Sequence, residues 1–290
     1  MNKVLRLLFI AVLITFISCE KEYSEENLSN GNDLIVGANC RISKIVYRDT
    51  SGMAGGGPGT GLGSISAEIN SLDILTKLTQ FDSLSNTITY IDAPIYSNDS
   101  VFINADEYYV VDINKRITKM HGLSDATDPF SLQYDVFYVY STTGYLTTKN
   151  YFFTITPGVS FLRVDYTYTG GNLTHMNAID LPGGDLAMDA DIAYYPDIVA
   201  RRFIYTFPDE PFYPQFSQFF DFGLRNFNAP KNMKVRNYDP GNVVRDSAVS
   251  TFSNYIMSRD GYVLSTQMGG NDQPGIPALA GKLSFSYHCK

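Results

Sequence analysis

Phe137-Tyr138-Val139-Tyr140-Ser141-Thr142-Thr143-Gly144-Tyr145-Leu146-Thr147-Thr148-Lys149 is the stretch that decides the fold. Side chains alternate up to Tyr140, a polar turn with a glycine follows, and a branched apolar residue opens a second run. Period-two alternation places successive side chains on opposite faces of a strand, and Gly144 supplies the positive φ of a tight turn. The segment therefore reads as a β-hairpin. The same design returns at Tyr108 to Met120, at Val164 to Met176, in degraded form from Asp191 to Phe203, and at Asn254 to Ser265. Anchors Ile117, Leu146 and Leu173 lie 29 and 27 residues apart, a spacing that suits a two-stranded unit with long excursions.

A single hairpin is marginal in water, so units of this kind must join edge to edge. Joined, they make an antiparallel sheet of roughly ten or more strands, which tends to curl or close. The expected fold is all-β: a large curved or partly closed antiparallel sheet (an open barrel) of hairpin repeats. Alternating tyrosines such as Tyr138/Tyr140 and Tyr166/Tyr168 put aromatic rings on one face of it.

The N-terminal residues belong to a different class. Lys3 and Arg6 precede the apolar run Leu7 to Ile17, which is too short for a membrane-spanning helix of about 20 residues and has the make-up of a secretory signal. It closes on Phe16-Ile17-Ser18-Cys19, which resembles a bacterial lipobox, with Phe16 standing where leucine is usual. Cleavage between Ser18 and Cys19, with lipid on Cys19, would leave the polar stretch from Glu20 to Asn27 as part of a flexible tether. The alternative is an ordinary signal peptide with a free or disulfide-bonded Cys19. The expected organisation is a signal peptide over 1–18, a charged tether over 19–37 and one β domain over 38–290. Loss of Lys3 and Arg6 takes the net charge from −8 to −10, which argues against a nucleic-acid partner.

With Cys19 lipidated, Cys40 and Cys289 remain, and an oxidising compartment favours a disulfide between them that would tie the first strand to the last. Two unpaired buried thiols are the alternative.

Between Pro208 and Pro230 the hairpin rhythm stops. The offsets of Phe212, Phe216, Phe219 and Phe220 match one helix face, which predicts a short amphipathic helix from about Pro214 to Leu224, an insertion near 212–224 that plugs or covers the sheet. The glycine-rich stretch Ser51 to Gly63 lacks the lysine and hydroxyl of a phosphate loop and reads as a long hairpin loop. His121, His175 and His288 have no second ligand type at zinc-like spacing, and no nucleophile elbow is present. Asp185, Asp189 and Asp191 form the densest acidic cluster, a weak Ca²⁺ candidate without EF-hand spacing and more simply a solvated turn.

The hairpins at 138–148 and 166–176 resemble the tyrosine-aspartate (YD-type) repeats of bacterial surface proteins. Together with the lipobox, the aromatic segment with Arg225 to Asn232, and the final strand Leu283 to Tyr287, the chain resembles Bacteroidetes lipoproteins with a porin-like curved sheet. The acidic residues after Cys19 resemble a signal for the outer face of the outer membrane. The resemblance implies a lipid-anchored outer-membrane or cell-surface protein without catalytic residues or cofactor. Its function would be non-enzymatic, as a binding or structural module whose partners are the membrane, through Cys19, and a glycan, peptide or protein. The competing expectation is a glycan hydrolase or a glycan-binding accessory protein, because paired carboxylates need no sequence motif.

Overall fold

The computed structural model describes residues 40–49, 62–70, 75–82, 87–92, 95–97, 99–102, 107–123, 132–209, 216–271 and 281–289. They form 17 strands in one antiparallel sheet. In chain order these are β1 (Arg41–Asp49), β2 (Leu62–Ile69), β3 (Leu75–Asp82), β4 (Thr87–Asp92), β5 (Ile95–Ser97), β6 (Ser100–Phe102), β7 (Tyr108–Val111), β8 (Ile117–Leu123) and β9 (Gln133–Tyr140). The series continues with β10 (Leu146–Phe153), β11 (Ser160–Thr169), β12 (Asn172–Asp180), β13 (Leu186–Val199), β14 (Asn228–Asp239), β15 (Val243–Met257), β16 (Val263–Asn271) and β17 (Gly281–His288).

Each strand pairs with its successor, except that no pairing joins β4 to β5 among the described residues. β1 also pairs with β17, from Arg41 opposite His288 to Asp49 opposite Gly281. The ladder therefore runs from β5 through β17 and β1 to β4, a ring open at one seam. Beside the first of these pairs, Cys40 and Cys289 form a disulfide of 2.03 Å.

Three of the repeated hairpins share one turn. The N–H of Asp112, Ser141 and Ser258 donates to the carbonyl of Arg116, Tyr145 and Tyr262 at 2.8, 2.8 and 2.7 Å. Each first residue also offers its side-chain oxygen back to the last N–H, at 3.0 to 3.1 Å. The fourth position carries the positive φ: Lys115 at 66°, Gly144 at 96° and Gly261 at 81°. After each turn comes a fully buried anchor, Ile117, Leu146 or Val263.

The register slips one residue past each anchor, between Ile117 and Lys119, Leu146 and Thr148, Leu173 and His175, and Val263 and Ser265. A bulge frees a ladder carbonyl that needs a donor. At three of the four the bulged residue is a threonine that supplies one: Thr118 to Val110 O, Thr147 to Val139 O and Thr174 to Thr167 O, at 3.2, 3.1 and 3.2 Å. The recurring Ile-Thr or Leu-Thr pair of the sequence is thus an anchor followed by a bulge hydroxyl.

Between β13 and β14 the chain leaves the sheet and packs against its inner face. Ala200, Phe203, Ile204, Tyr205, Thr206 and Phe207 are buried, as are Gln218, Phe219, Phe220 and Phe222. Among the described residues the expected helix is not formed: from Phe216 to Leu224 only the 3-10 turn Phe216–Phe219 is helical, and Gly223 has φ 87°, while Phe212 and Pro214 lie outside the described residues. A helix would aim its aromatic stripe at one wall. Here the rings go to several: Phe203 meets Phe285 of β17 at 5.0 Å, Phe207 meets Tyr166 of β11 at 5.2 Å, Phe220 meets Tyr109 of β7 at 4.8 Å and Phe222 meets Tyr138 of β9 at 5.3 Å. The aromatic residues on the two sides of the turn thus reach different walls, which one helix face could not do.

Residues 221–227 then cross the ends of three hairpins as a strap, with one backbone hydrogen bond to each. Ile117 N–H donates to Asp221 O at 2.8 Å, Leu224 N–H to Gly144 O at 3.0 Å and Phe227 N–H to Gly171 O at 3.1 Å. A Cβ on Gly223 would collide with the Gly144 carbonyl oxygen and sit 3.0 Å from the Tyr140 ring. Gly223→Ala is therefore expected to cost at least about 2 kcal/mol, as left-handed strain plus overpacking. Gly158 has φ 83° with nothing within 4 Å of its Cβ position, so Gly158→Ala should cost only the strain, about 1 kcal/mol. Urea midpoints of the two variants test the strap; equal shifts would remove its packing role.

Candidate functional site

The interior places a charge pair among the rings. Lys149 is wholly buried, and its Nζ donates to Asp209 Oδ2 at 2.9 Å. Tyr166 OH donates to the other carboxylate oxygen, Oδ1, at 2.7 Å. The ring centroids of Phe207, Tyr166 and Tyr138 lie 5.0, 5.6 and 5.9 Å from Nζ, within cation-π range. Strand β10 positions the lysine opposite Tyr138 on one side and Val164 on the other. The segment entering the interior positions the aspartate.

This pair escapes the alternation rule for a definite reason. Counted from the anchor Leu146, strict alternation sends Lys149 outward, but the slip between Leu146 and Thr148 reverses the parity. The signal that could have found it was the repeated Leu-Thr bulge itself.

Around the pair the plug is held by its own polar groups. Gln218 accepts from Tyr205 N–H at 2.8 Å and donates to Tyr205 O at 3.2 Å, standing in for a strand partner. Arg225 donates to Phe203 O and Gln218 O at 2.5 and 2.8 Å, and its guanidinium lies 4.0 Å over the Tyr205 ring. Burial pushes the Tyr205 phenol up to about 12, and its OH donates to Gly223 O at 2.9 Å. Asn226 accepts from Leu173 N–H at 2.7 Å and donates to Thr206 Oγ1 at 2.6 Å. Asn172 and Asn228 bond each other at 2.8 and 2.9 Å. Buried polar groups paired this fully specify one packing.

The outer face of β8 to β14 is charged. Asp135 meets Lys119 at 3.0 Å and His121 at 2.8 Å, and Arg163 meets Asp165 at 2.8 Å. Arg236 grips Asp189 through two nitrogens at 2.6 and 2.9 Å and reaches Asp191 at 2.7 Å. His175 bonds Asp191 at 2.8 Å and Asn177 at 3.0 Å.

Of the residues singled out in the sequence, Asp189 and Asp191 come together, but around Arg236, and Asp185 is not part of that cluster. No group of three ligating side chains assembles among the described residues, so the Ca²⁺ candidate is not formed there. A guanidinium occupies the carboxylates that a cation would need. Ser18, Cys19 and the body of the glycine-rich loop, residues 51–61, lie outside the described residues.

A ring-like antiparallel sheet filled by its own chain, with charges on the outer face of β8 to β14, defines the class of architecture. Two solved structures are similar to this chain in the fold of the sheet. One is a porin-like protein from Bacteroides uniformis, with a TM-score of 0.54 and 12% identity over 85% of this chain and 96% of that one. The other is a porin-like protein from Bacteroides vulgatus, with a TM-score of 0.51 and 12% identity over 86% of this chain and 99% of that one. At that identity the likeness is one of fold. No family model matches the sequence, and no characterised protein is recognisably similar to it in sequence.

Proposed function

We propose that this protein is a lipid-anchored envelope or cell-surface lipoprotein whose sheet serves as a non-enzymatic binding or structural module. The observation that carries this reading is the contrast between the filled interior and the charged outer wall. A conducting outer-membrane barrel keeps a wet lumen and shows lipid an apolar band. Here Phe203, Tyr205, Phe207 and Phe222 fill the inside, and Arg163, Asp165, Asp191 and Arg236 stand on the outside. A charge facing hydrocarbon at the midplane costs roughly 2–4 kcal/mol, so an outer wall bearing several suits water.

Such a body needs another means of attachment, and Cys19 supplies it, with residues 20–37 as tether. The hairpins then present a surface of YD-like repeats to a glycan, peptide or protein. The porin-like Bacteroides folds are consistent with an envelope setting. Expression with labelled palmitate is expected to mark the wild-type chain and leave Cys19→Ala unlabelled and released from the membrane fraction. A Cys19→Ala chain that still sediments with membranes would overturn the anchor.

A further inference from the structure

Lys149, Asp209 and Tyr166 have the arrangement for a covalent bond as well as a salt bridge. We propose that Lys149 Nζ and Asp209 Cγ condense spontaneously to an isopeptide cross-link that fastens the plug to β10. Three observations point there. The amine touches the carboxylate at 2.9 Å in a site where the lysine has no exposed surface. Ring faces of Phe207, Tyr166 and Tyr138 surround Nζ and keep bulk water from it, so that water does not oppose the condensation. The second carboxylate oxygen already receives a hydrogen bond from Tyr166 OH, at 2.7 Å.

Proton transfer from Nζ to Oδ2 along the existing contact gives a neutral amine and a carboxylic acid. The Nζ lone pair then attacks Cγ, and the charge that develops on Oδ1 is met by the Tyr166 hydroxyl, a donor placed in advance. The tetrahedral centre collapses with loss of Oδ2 as water, which carries the acid proton and one proton from the nitrogen. An amide N–H and a C=O remain, and no oxidant, metal or co-reactant is needed. Holding both groups immobile in one enclosure supplies the orientation that makes an otherwise slow amide formation feasible. The bond would join positions 60 residues apart and fix the segment entering the interior to the wall behind it.

Mass spectrometry of the purified full chain, reduced and denatured, tests the proposal. The expected result is a chain lighter by one water, with no tryptic cleavage at Lys149 and one branched peptide containing Lys149 and Asp209. Lys149→Arg and Asp209→Ala should each return the full mass. Tyr166→Phe should fold and form the branched peptide at least tenfold more slowly, the scale of losing one aligned donor. A folded wild-type chain of full mass, cleaved at Lys149 and yielding two separate peptides, would overturn the cross-link. A one-water deficit located in any other peptide would overturn it equally.

Discussion

Phe222→Ala is expected to lower the unfolding free energy by about 3–5 kcal/mol, the range for emptying a filled aromatic site. Phe222 is 1% exposed. Its ring stands 5.3 Å from Tyr138, 5.7 Å from Tyr205, 6.1 Å from Tyr109 and 6.4 Å from Phe207, so it joins two wall strands to both limbs of the plug. Its backbone N–H also donates to Tyr205 OH at 2.9 Å, which holds the residue in place and limits collapse into the space left behind. Phe222→Leu keeps much of the volume and should cost about 1.5 kcal/mol or less. Phe137, on the outer face of β9 and 42% exposed, is the comparison: Phe137→Ala should shift stability by about 1 kcal/mol or less. Urea unfolding followed by tyrosine fluorescence ranks the three. Equal losses at 222 and 137 would mean that the interior segment is not a core element.

Removing the disulfide should be the larger change. Cys40 and Cys289 are 249 residues apart, and in the chain-entropy description a cross-link over a loop of that length stabilises the folded state by about 5 kcal/mol. The native side of the balance is favourable as well, since β1 and β17 are paired from Arg41 and His288 onward without it. Cys40→Ser with Cys289→Ser, or reduction of the wild type, is expected to lower Tm by roughly 10–20 °C, at 2–4 °C for each kcal/mol in a domain of this size. A scan with and without reductant measures it. A shift within error, with both thiols shown to be free after treatment, would place the stability of the β1/β17 pairing in its ladder alone.

How much of this was legible beforehand differs from residue to residue. The hairpins were legible because turns are local: a positive-φ glycine after a serine writes its geometry into four or five consecutive residues, as at Ser141 to Tyr145. The burial of Ile117, Leu146 and Leu173 followed from the same repeats. The partly closed sheet was legible in outline, since many hairpins must pair and pairing many strands bends the sheet. The plug was legible as aromatic and covering, but its backbone was not. Phe219 and Phe220 belong to a helically spaced set, and only the three-dimensional fact that both are buried against the sheet without a helix shows that none is needed. Lys149 was hidden by a single bulge, which reversed the parity of the strand behind it. Arg236 was hidden by distance: it lies more than forty residues from both carboxylates it grips, and charge partners across strands leave no trace in linear spacing.

The segment from Ala200 to Phe227 has a consequence for assembly. Its rings rest on β7, β9, β11 and β17, strands drawn from both sides of it in the chain. The hairpins rest on local contacts and can begin to form early and in any order, each gaining stability only as it joins its neighbours. The plug cannot complete its contacts until β17, far along the chain from β7, has arrived, and contacts spanning that much chain are slow to find. Folding should thus end with one late, concerted event in which lumen filling and ring formation coincide. Until then the hairpins carry an unsatisfied aromatic face, the stage at which the chain is most exposed to aggregation.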